Sequence, residues 1–579
     1  MLRKVLVLCV AAGILAAPLS AQTRELMPGV TYRSEVQFTR HGPVVMHVLT
    51  APRPTGLYGL KPVLSNNAIL GTERVTAIQQ TVSTSATTAG INGDLFSAAD
   101  GHPSGVLLQD GELKTRPLPG RSSIGVARDG TLRVERVSLL GTWQGTGQRR
   151  PLNALNARAG ANQLTLYTSA YGPATPPVPD TLEVVLQPFG GAIPGDERTS
   201  PVTQVKQNGS TPIPPGGAVL VGRGTQAARL TAEAQLGRTV TTRFVLKPDW
   251  RDIGDAVGGG PVLIREGRPV FNPAEQFADE QLLPRAARSA VGQLADGRIV
   301  LVAVDGGQPG YSVGVTNFEL AQALVRLGAV TGSALDGANS TTMAFEGQLL
   351  NRPSNQGGER SVAEALLVQY YGVWAAEPLT PVVSPNGDGV GERQSLAYKV
   401  VRPSTVTVSL VAPDRSTRFT ETAQRPPGFY PVPFSPTKPD GSPEVEGGWS
   451  LSVSAVDSAG ATSSAERSFA VNNTLGALRA PGLYRLAQAG PPLRFGYTLT
   501  RPAEVAATVE TVAGAVVRSF GRASMQAGTA GVGWDGRDGR GALAHTGRYV
   551  VRVVAVNALG RTELTTPFLI RRVAAARRS

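Results

Sequence analysis

Ile299-Val300-Leu301-Val302-Ala303-Val304 is an unbroken apolar run that stops at Asp305-Gly306-Gly307. A run without alternation suits a strand buried on both faces. After a loop, Thr316-Asn317-Phe318-Glu319 reads as a capping box. The Thr316 hydroxyl accepts from the third helical N–H, and Glu319 reaches back to the cap. Phe318, Ala321, Leu324 and Leu327 continue as a helical stripe, and Gly328 ends it. Ala329 to Leu335 predicts a second strand, ending at Asp336-Gly337. Strand, helix, strand reads as one βαβ unit, and such units are parallel. Both strands then end at one sheet edge, where open α/β sheets bind ligands, and Asp305 and Asp336 share that edge. Asp-Gly pairs are also ordinary turn formers, and the bare pattern leaves that reading open. Beyond Asp336, Asn339-Ser340-Thr341-Thr342 is a row of small amide and hydroxyl side chains. Such a row needs hydrogen-bond partners, from the fold or from a polar ligand, if it is buried.

Elsewhere the period is two. Arg33 to Thr50 alternates apolar and polar positions, as half-buried strands do. Gly105 to Leu113 and Ser123 to Val137 predict hairpins turning at Asp110-Gly111 and Asp129-Gly130. The stretch 141–246 is rich in Thr, Val, Pro and Gly, with short strand-like pieces at Leu182 to Gln187 and Ala218 to Val221. It reads as β structure inserted between two halves of one domain. Val362 to Tyr371 is the apolar segment that closes this region, and a Pro-rich linker follows from Glu377 to Pro385. Two segments then repeat at a spacing of about 100 residues, the size of a β-sandwich. Leu396-Ala397-Tyr398 matches Phe495-Gly496-Tyr497, and Gly448-Trp449 matches Arg548-Tyr549.

Composition narrows the picture. The chain has 579 residues, too many for one core. Gly (68) and Pro (44) are abundant and aromatics are 6%, which favours turn-rich β structure. The net charge of +13 is spread thinly rather than gathered in blocks, which argues against a nucleic-acid partner. Met1 to Ala21 has a basic start at Arg3-Lys4, an apolar centre and a small-residue end, the pattern of a cleavable signal peptide. The expected location is therefore secreted, periplasmic or cell-surface. The single cysteine, Cys9, lies inside that segment, so the rest of the chain has no disulfide, thiol nucleophile or cysteine-ligated metal. No run is long and apolar enough for a transmembrane helix. The four histidines show no metal-ligand spacing. Gly310-Tyr311-Ser312-Val313-Gly314 fits a hydrolase-elbow pattern, but Ser312 lies several residues past its strand, and the only histidine downstream is the distant His545.

Seven short motifs occur in a fixed order. They are Asn92-Gly93-Asp94-Leu95-Phe96, Gly259-Gly260-Pro261, Arg288-Ser289-Ala290-Val291-Gly292, Val304-Asp305-Gly306, Leu335-Asp336-Gly337, Ser340-Thr341-Thr342-Met343 and Gly358-Glu359-Arg360. In these the chain resembles the phosphodiester glycosidase family, over roughly Thr81 to Tyr371. Ala338 and Asn339 stand where the family motif has two glycines. The C-terminal copy of the repeat, with Trp534-Asp535-Gly536-Arg537-Asp538-Gly539, resembles the Ig-like repeat of flagellar hook-capping proteins. Ser384-Pro385-Asn386-Gly387-Asp388-Gly389 carries part of a calcium-loop pattern, with Ser395 where the twelfth-position Glu belongs, and reads as a linker turn.

The resemblance implies hydrolysis of the bond between a sugar anomeric carbon and a phosphodiester oxygen. A phosphate leaving group needs its charge held, which suits the planar fork of arginine, so Arg288 and Arg360 are the expected phosphate ligands. One carboxylate must stabilise the oxocarbenium-like state or activate water, and the expectation is Asp336, with Asp305 or Glu359 as partner. Asn92, Asp94, Asn339, Ser340 and Thr341 are expected to hydrogen-bond sugar hydroxyls or phosphate oxygens. No cofactor is required by the sequence. A divalent cation (calcium or magnesium) held by Asp305 and Asp336 is compatible with it. The expected architecture is multidomain. A mixed α/β, β-rich catalytic-type domain spans 22–374, and a linker spans 375–385. Two Ig-like antiparallel β-sandwiches follow at 386–473 and 478–573, then a basic tail at 574–579. The expected function is an exported glycosidase acting on sugar-1-phosphodiesters of cell-surface or extracellular glycans, with the Ig-like domains available to a surface polymer. The alternative is a non-catalytic carbohydrate- or surface-binding protein on the same fold.

Overall fold

The computed structural model describes residues 23–158, 160–270, 275 and 277–573. The signal-like segment 1–21 and the basic tail 574–579 lie outside the described residues. The chain divides into two compact units, one of residues 1–83 and 87–370 and one of residues 84–86 and 371–579.

The first unit is built almost entirely of antiparallel sheet, and this corrects the expectation of a mixed α/β domain. The helices among the described residues are short, the longest being Asn317–Arg326. That helix is the one the capping box announced. Thr316 Oγ1 accepts from the Glu319 N–H at 3.3 Å, and the Glu319 carboxylate accepts from the Thr316 N–H at 2.9 Å. Its flanking strands, Ile299–Val304 and Ala329–Ala334, do run in the same direction. They are not neighbours, because Arg288–Leu294 lies between them and pairs antiparallel with both. One capped helix over an antiparallel sheet is therefore what a local reading took for an α/β layer. The core stripe of the helix also differs from the expected one. Leu320, Ala321, Ala323 and Leu324 are buried against Ala290, Val300 and Val302, whereas Phe318 is 62% exposed.

This sheet has eight strands, in the order Arg24–Met27, Val30–Thr39, Gly42–Ala51, Ile299–Val304, Arg288–Leu294, Ala329–Ala334, Val262–Arg265 and Arg268–Pro269. A five-stranded sheet holds Thr87–Asn92 between Met343–Phe345 and Glu364–Tyr370. A second five-stranded sheet contains the Asp110-Gly111 and Asp129-Gly130 turns. At the first of these turns both residues have positive φ, 50° and 83°, which explains the Asp-Gly pair. Residues 138–247 form a further eight-stranded sheet. Its first and last long strands, Ser138–Gln144 and Thr239–Lys247, pair along their length, with Ser138 opposite Lys247. Trp143, Trp250 and Phe244 fill the core it shares with the second five-stranded sheet.

The second unit holds two sandwiches of one design, each a three-stranded sheet facing a five-stranded one. The repeated motifs fall on equivalent strands, Gly447–Asp457 and Gly547–Asn557, with Trp449 and Trp534 buried in the respective cores. In the Asn386-Gly387-Asp388-Gly389 turn, the Glu392 carboxylate accepts from the N–H groups of Gly387 (2.6 Å) and Asp388 (2.8 Å). A side-chain carboxylate thus fills that loop.

The first unit's main sheet is pinned at Asp305, which follows the Ile299–Val304 strand and is fully buried. Its Oδ1 accepts from Asn351 Nδ2 at 2.9 Å. Its Oδ2 accepts from the Tyr311 hydroxyl and lies beside His47 Nε2, both at 3.0 Å. The Arg352 N–H is 3.2 Å from both oxygens. Five contacts from three chain segments, at His47, Tyr311 and Asn351-Arg352, converge on one carboxylate. Removing it strands several buried donors, which costs more than the bonds themselves contribute. Asp305→Ala is expected to destabilise the first unit by about 2–4 kcal/mol in urea denaturation. A loss under about 0.5 kcal/mol would show that Asp305 does not anchor the sheet.

Candidate active site

The antiparallel register places three charged residues at one sheet edge. Arg288 opens its strand opposite Val304, Asp305 follows Val304, and Asp336 lies just past the strand that ends at Ala334. Asp305 and Asp336 thus share an edge, as the strand-helix-strand pattern implied, but they do not share a cavity. Asp305 is enclosed by the groups just described. Its oxygens are turned to those donors, so the pair does not form a common cation site. Ser312 belongs to the same enclosure. Its hydroxyl donates to the Asp305 carbonyl at 2.6 Å and accepts from the Val45 N–H at 3.0 Å, so it is no nucleophile.

Asp336 faces a cavity of about 260 Å³ that is also lined by Arg288, Arg360, Asn339, Phe277 and Gly260. The Asp336 backbone is held on both sides. Its N–H donates to the Gly93 carbonyl at 3.1 Å, and its carbonyl accepts from Asn92 Nδ2 at 2.7 Å. Asn92 Oδ1 accepts in turn from the Ser289 hydroxyl (2.7 Å) and the Thr342 N–H (3.2 Å). This buried amide therefore ties the two sheets to the loop and does not reach the cavity. The loop then turns through Ala338 with φ at +51°, the left-handed region. Alanine adopts the glycine-type conformation here at a strain of order 1 kcal/mol. The Ala338 N–H donates to the Ala287 carbonyl at 2.8 Å and helps hold that turn.

The two arginines differ in how they are held. Arg288 is nearly buried and donates to three backbone carbonyls: Gln281 and Pro284 at 2.7 Å and Val315 at 3.3 Å. Among the described residues no carboxylate pairs with it, and burial alone pulls its pKa below the usual guanidinium value. Its positive charge is compensated by dipoles only, beside a cavity. Arg360 donates to the Ser340 hydroxyl at 2.9 Å and its guanidinium lies 4.8 Å from the Phe96 ring centroid. Ser340 and Thr341 are both buried, and Ser340 links Arg360 to Asp336.

Behind Asp336 lie two more acids. Asp94 is fully buried, and its Oδ1 accepts from Arg121 Nη2 at 2.5 Å. Its backbone N–H donates to Glu364 Oε1 at 2.8 Å. Gly105 and Gly258 pack against Asp94 so closely that a Cβ on either would meet its Oδ2, at 2.5 and 2.0 Å. Burial raises the Asp94 pKa against the opposing charge of Arg121. Burial, reinforced by the Asp94 charge, raises Glu364 well above the carboxylate range. Asp336 is pushed up to about 6, by burial first and then by Asp94, with Ser340 and Arg360 opposing. A carboxyl poised near neutral pH beside an unmatched cation is suited to acid–base or charge-stabilising work.

Glu359 does not enter this constellation. Its carboxylate accepts from the Thr76 N–H (3.0 Å) and hydroxyl (2.7 Å), at the start of the Val75–Thr81 helix. Of the residues singled out from sequence, the cavity therefore gathers Asp336, Arg288, Arg360 and Asn339. Asn92, Asp94, Ser340 and Thr341 support it from below. Glu364 and Arg121 were not singled out. The signal for Glu364 was an acid within the apolar run 362–371, which leaves it no route to water.

Residues 190–369, which carry Arg288, Asp336, Arg360 and Glu364, match the family model described as phosphodiester glycosidase. Residues 482–558 match the FlgD Ig-like domain. The SPbeta prophage-derived uncharacterized protein YomE of Bacillus subtilis (strain 168) is 32% identical over 108 residues, 19% of this chain and 16% of that protein. A hypothetical protein from Synechocystis has a similar structure, with a TM-score of 0.51 and 28% identity over 61% of this chain and 64% of its own. The chain thus spans about a sixth of the curated relative and just under two thirds of the Synechocystis protein. The catalytic domain of zebrafish N-acetylglucosamine-1-phosphodiester alpha-N-acetylglucosaminidase is also similar, with a TM-score of 0.33 and 14% identity over 60% of this chain and 84% of that one. The segment that builds the Arg288–Asp336 cavity is thus a phosphodiester glycosidase match, and the last sandwich is a FlgD Ig-like domain match.

Proposed function

We propose that the protein is an exported glycosidase that hydrolyses the glycosidic bond of sugar-1-phosphodiesters in cell-surface or extracellular glycans. Export rests on the signal-like segment Met1 to Ala21. The Ig-like sandwiches would hold the enzyme near a surface polymer. The observation that carries the reading is Arg288, a guanidinium compensated among the described residues only by carbonyls, facing a cavity across from Asp336. An anion completes such a site, and phosphate matches the fork of donors.

In this reading Arg288 and Arg360 hold the phosphodiester, and the anomeric carbon lies toward Asp336. The bond from that carbon to the phosphate oxygen breaks, water supplies the new hydroxyl, and the phosphate leaves with the bridging oxygen and the electron pair. A phosphate leaves without full protonation, so one ionised carboxylate suffices to stabilise the positive charge developing on the sugar or to take a proton from water. Asp94 and Glu364 act through Asp336, keeping its carboxyl from ionising early.

Release of free sugar from a methyl phosphodiester of a sugar α-1-phosphate tests this directly. Wild-type turnover is expected, with kcat lowered about 10³-fold in Asp336→Asn and kcat/KM lowered about 10²-fold in Arg288→Met. Wild-type protein that binds the compound but never releases sugar would move the reading to a carbohydrate-binding protein.

The pH dependence has a definite sign. If Asp336 works ionised, kcat/KM rises with pH, is half-maximal near pH 6 and is flat above it. Stability runs the other way. The folded state keeps the Asp336 proton between the ordinary carboxylate pKa and about 6, so this group's burial costs stability as pH rises through that window. The cost reaches about 3 kcal/mol above it. Asp336→Asn is therefore expected to be at least as resistant to urea as the wild type at pH 7.5. A profile that falls from pH 5 to 7 would instead assign Asp336 the role of a proton donor.

A further inference from the structure

A second cavity, of about 240 Å³, lies beside the first and shares Pro261 and Asn317 with it. Its walls are apolar: Val262, Leu263, Val270, Leu282, Leu283 and Phe318. Val262 and Leu263 are buried and form the floor, while Leu283 and Phe318 are each 62% exposed at the rim. The polar donors on this wall are engaged, and Asn317 Oδ1 is buried without a partner among the described residues. Thr316 is occupied in the capping box, and Asn317 donates to the Leu282 carbonyl at 3.4 Å. Among the described residues nothing charged lines it. Single exposed apolar side chains are ordinary, but two at the rim of a recessed apolar floor form a surface that gains by being covered.

What covers it follows from its neighbour. The first cavity presents Arg288 and Arg360 to an anion, and the apolar one adjoins it at Pro261 and Asn317. The occupant therefore joins an anionic group to an apolar chain. A phosphodiester has two substituents. If one is the sugar beside Asp336, the other must leave the phosphate in some direction, and this wall lies on such a path. Building on the function proposed above, we infer that this groove binds the hydrocarbon of a long-chain alcohol esterified to the phosphate. The preferred substrates are then sugar-1-phosphodiesters of lipid-like alcohols. Hydrolysis breaks the bond from the anomeric carbon to oxygen, gives the free sugar, and leaves the alkyl chain on a phosphomonoester that keeps the bridging oxygen.

Binding tests this without turnover. Calorimetry on the full chain at pH 7.5 compares octyl phosphate with methyl phosphate. Each buried methylene favours binding about two- to fourfold, so octyl phosphate is expected to bind at least tenfold more tightly. In Leu283→Ser/Phe318→Ser, both surface positions outside the polar cavity, that ratio should fall to about two while methyl phosphate affinity is unchanged. Equal affinities in the wild type, or a preference that survives in the double variant, would overturn the inference. A turnover arm separates this proposal from the one beneath it. Release of sugar from the methyl phosphodiester with no gain from the octyl one keeps the glycosidase and rejects the groove. A strong octyl phosphate preference with no turnover of either diester rejects the glycosidase and keeps the groove as an alkyl phosphate site.

Discussion

Taking a carboxylate out of water is the constraint around which the first unit is arranged. Desolvation favours the neutral acid unless donors or cations replace the lost water. The chain meets this demand in two ways at one sheet edge. At Asp305 it supplies several donors, and the acid becomes a structural anchor. At Asp336 the donors, Ser340 and the Gly337 backbone, are outweighed by burial over Asp94 and Glu364, with Arg360 at one remove through Ser340. The same residue type at the ends of two similarly directed strands is thus a structural anchor in one place and a cavity-facing acid in the other. The environment decides which. Arg288 mirrors this choice on the cationic side, since among the described residues it is held by carbonyls and not by an acid.

Much of this edge was legible in the sequence because its signals are local. Apolar runs that stop at Asp-Gly marked both strand ends, and the Thr316–Glu319 capping box marked the helix between them. Asp110-Gly111 marked a turn that demands positive φ at both residues. What was not legible is whatever depends on partners distant in the chain. No spacing reveals that Arg288–Leu294 slips between the two strands and makes the sheet antiparallel, so the α/β reading followed from an unbroken local pattern. Glu359 looked like a site residue beside Arg360, but its partner is Thr76, far away in sequence. Phe318 kept the helical period but stands in the first turn of its helix, where the chain has not yet rotated onto the core, and Leu320 takes its place.

Asn92 shows how motif order and site geometry differ. Its place in an ordered series of motifs suggested contact with a ligand. Instead its amide meets groups from three other segments: the Asp336 carbonyl, the Ser289 hydroxyl and the Thr342 N–H. A residue so connected acts on substrate only through the loop it holds. The cost of losing it would appear as misplacement of Asp336.

The ladder between Ser138–Gln144 and Thr239–Lys247 has a consequence for how the molecule assembles. The host sheets draw strands from both sides of this insert, so they cannot close until residues about 110 apart have been brought together. Closing a loop of that length late would tax every host contact with its entropy. A sheet whose first and last long strands zip against each other settles that closure within the insert itself. The insert is in this sense a hinge pin for folding order: once it has formed, the two halves of the host begin their search as neighbours.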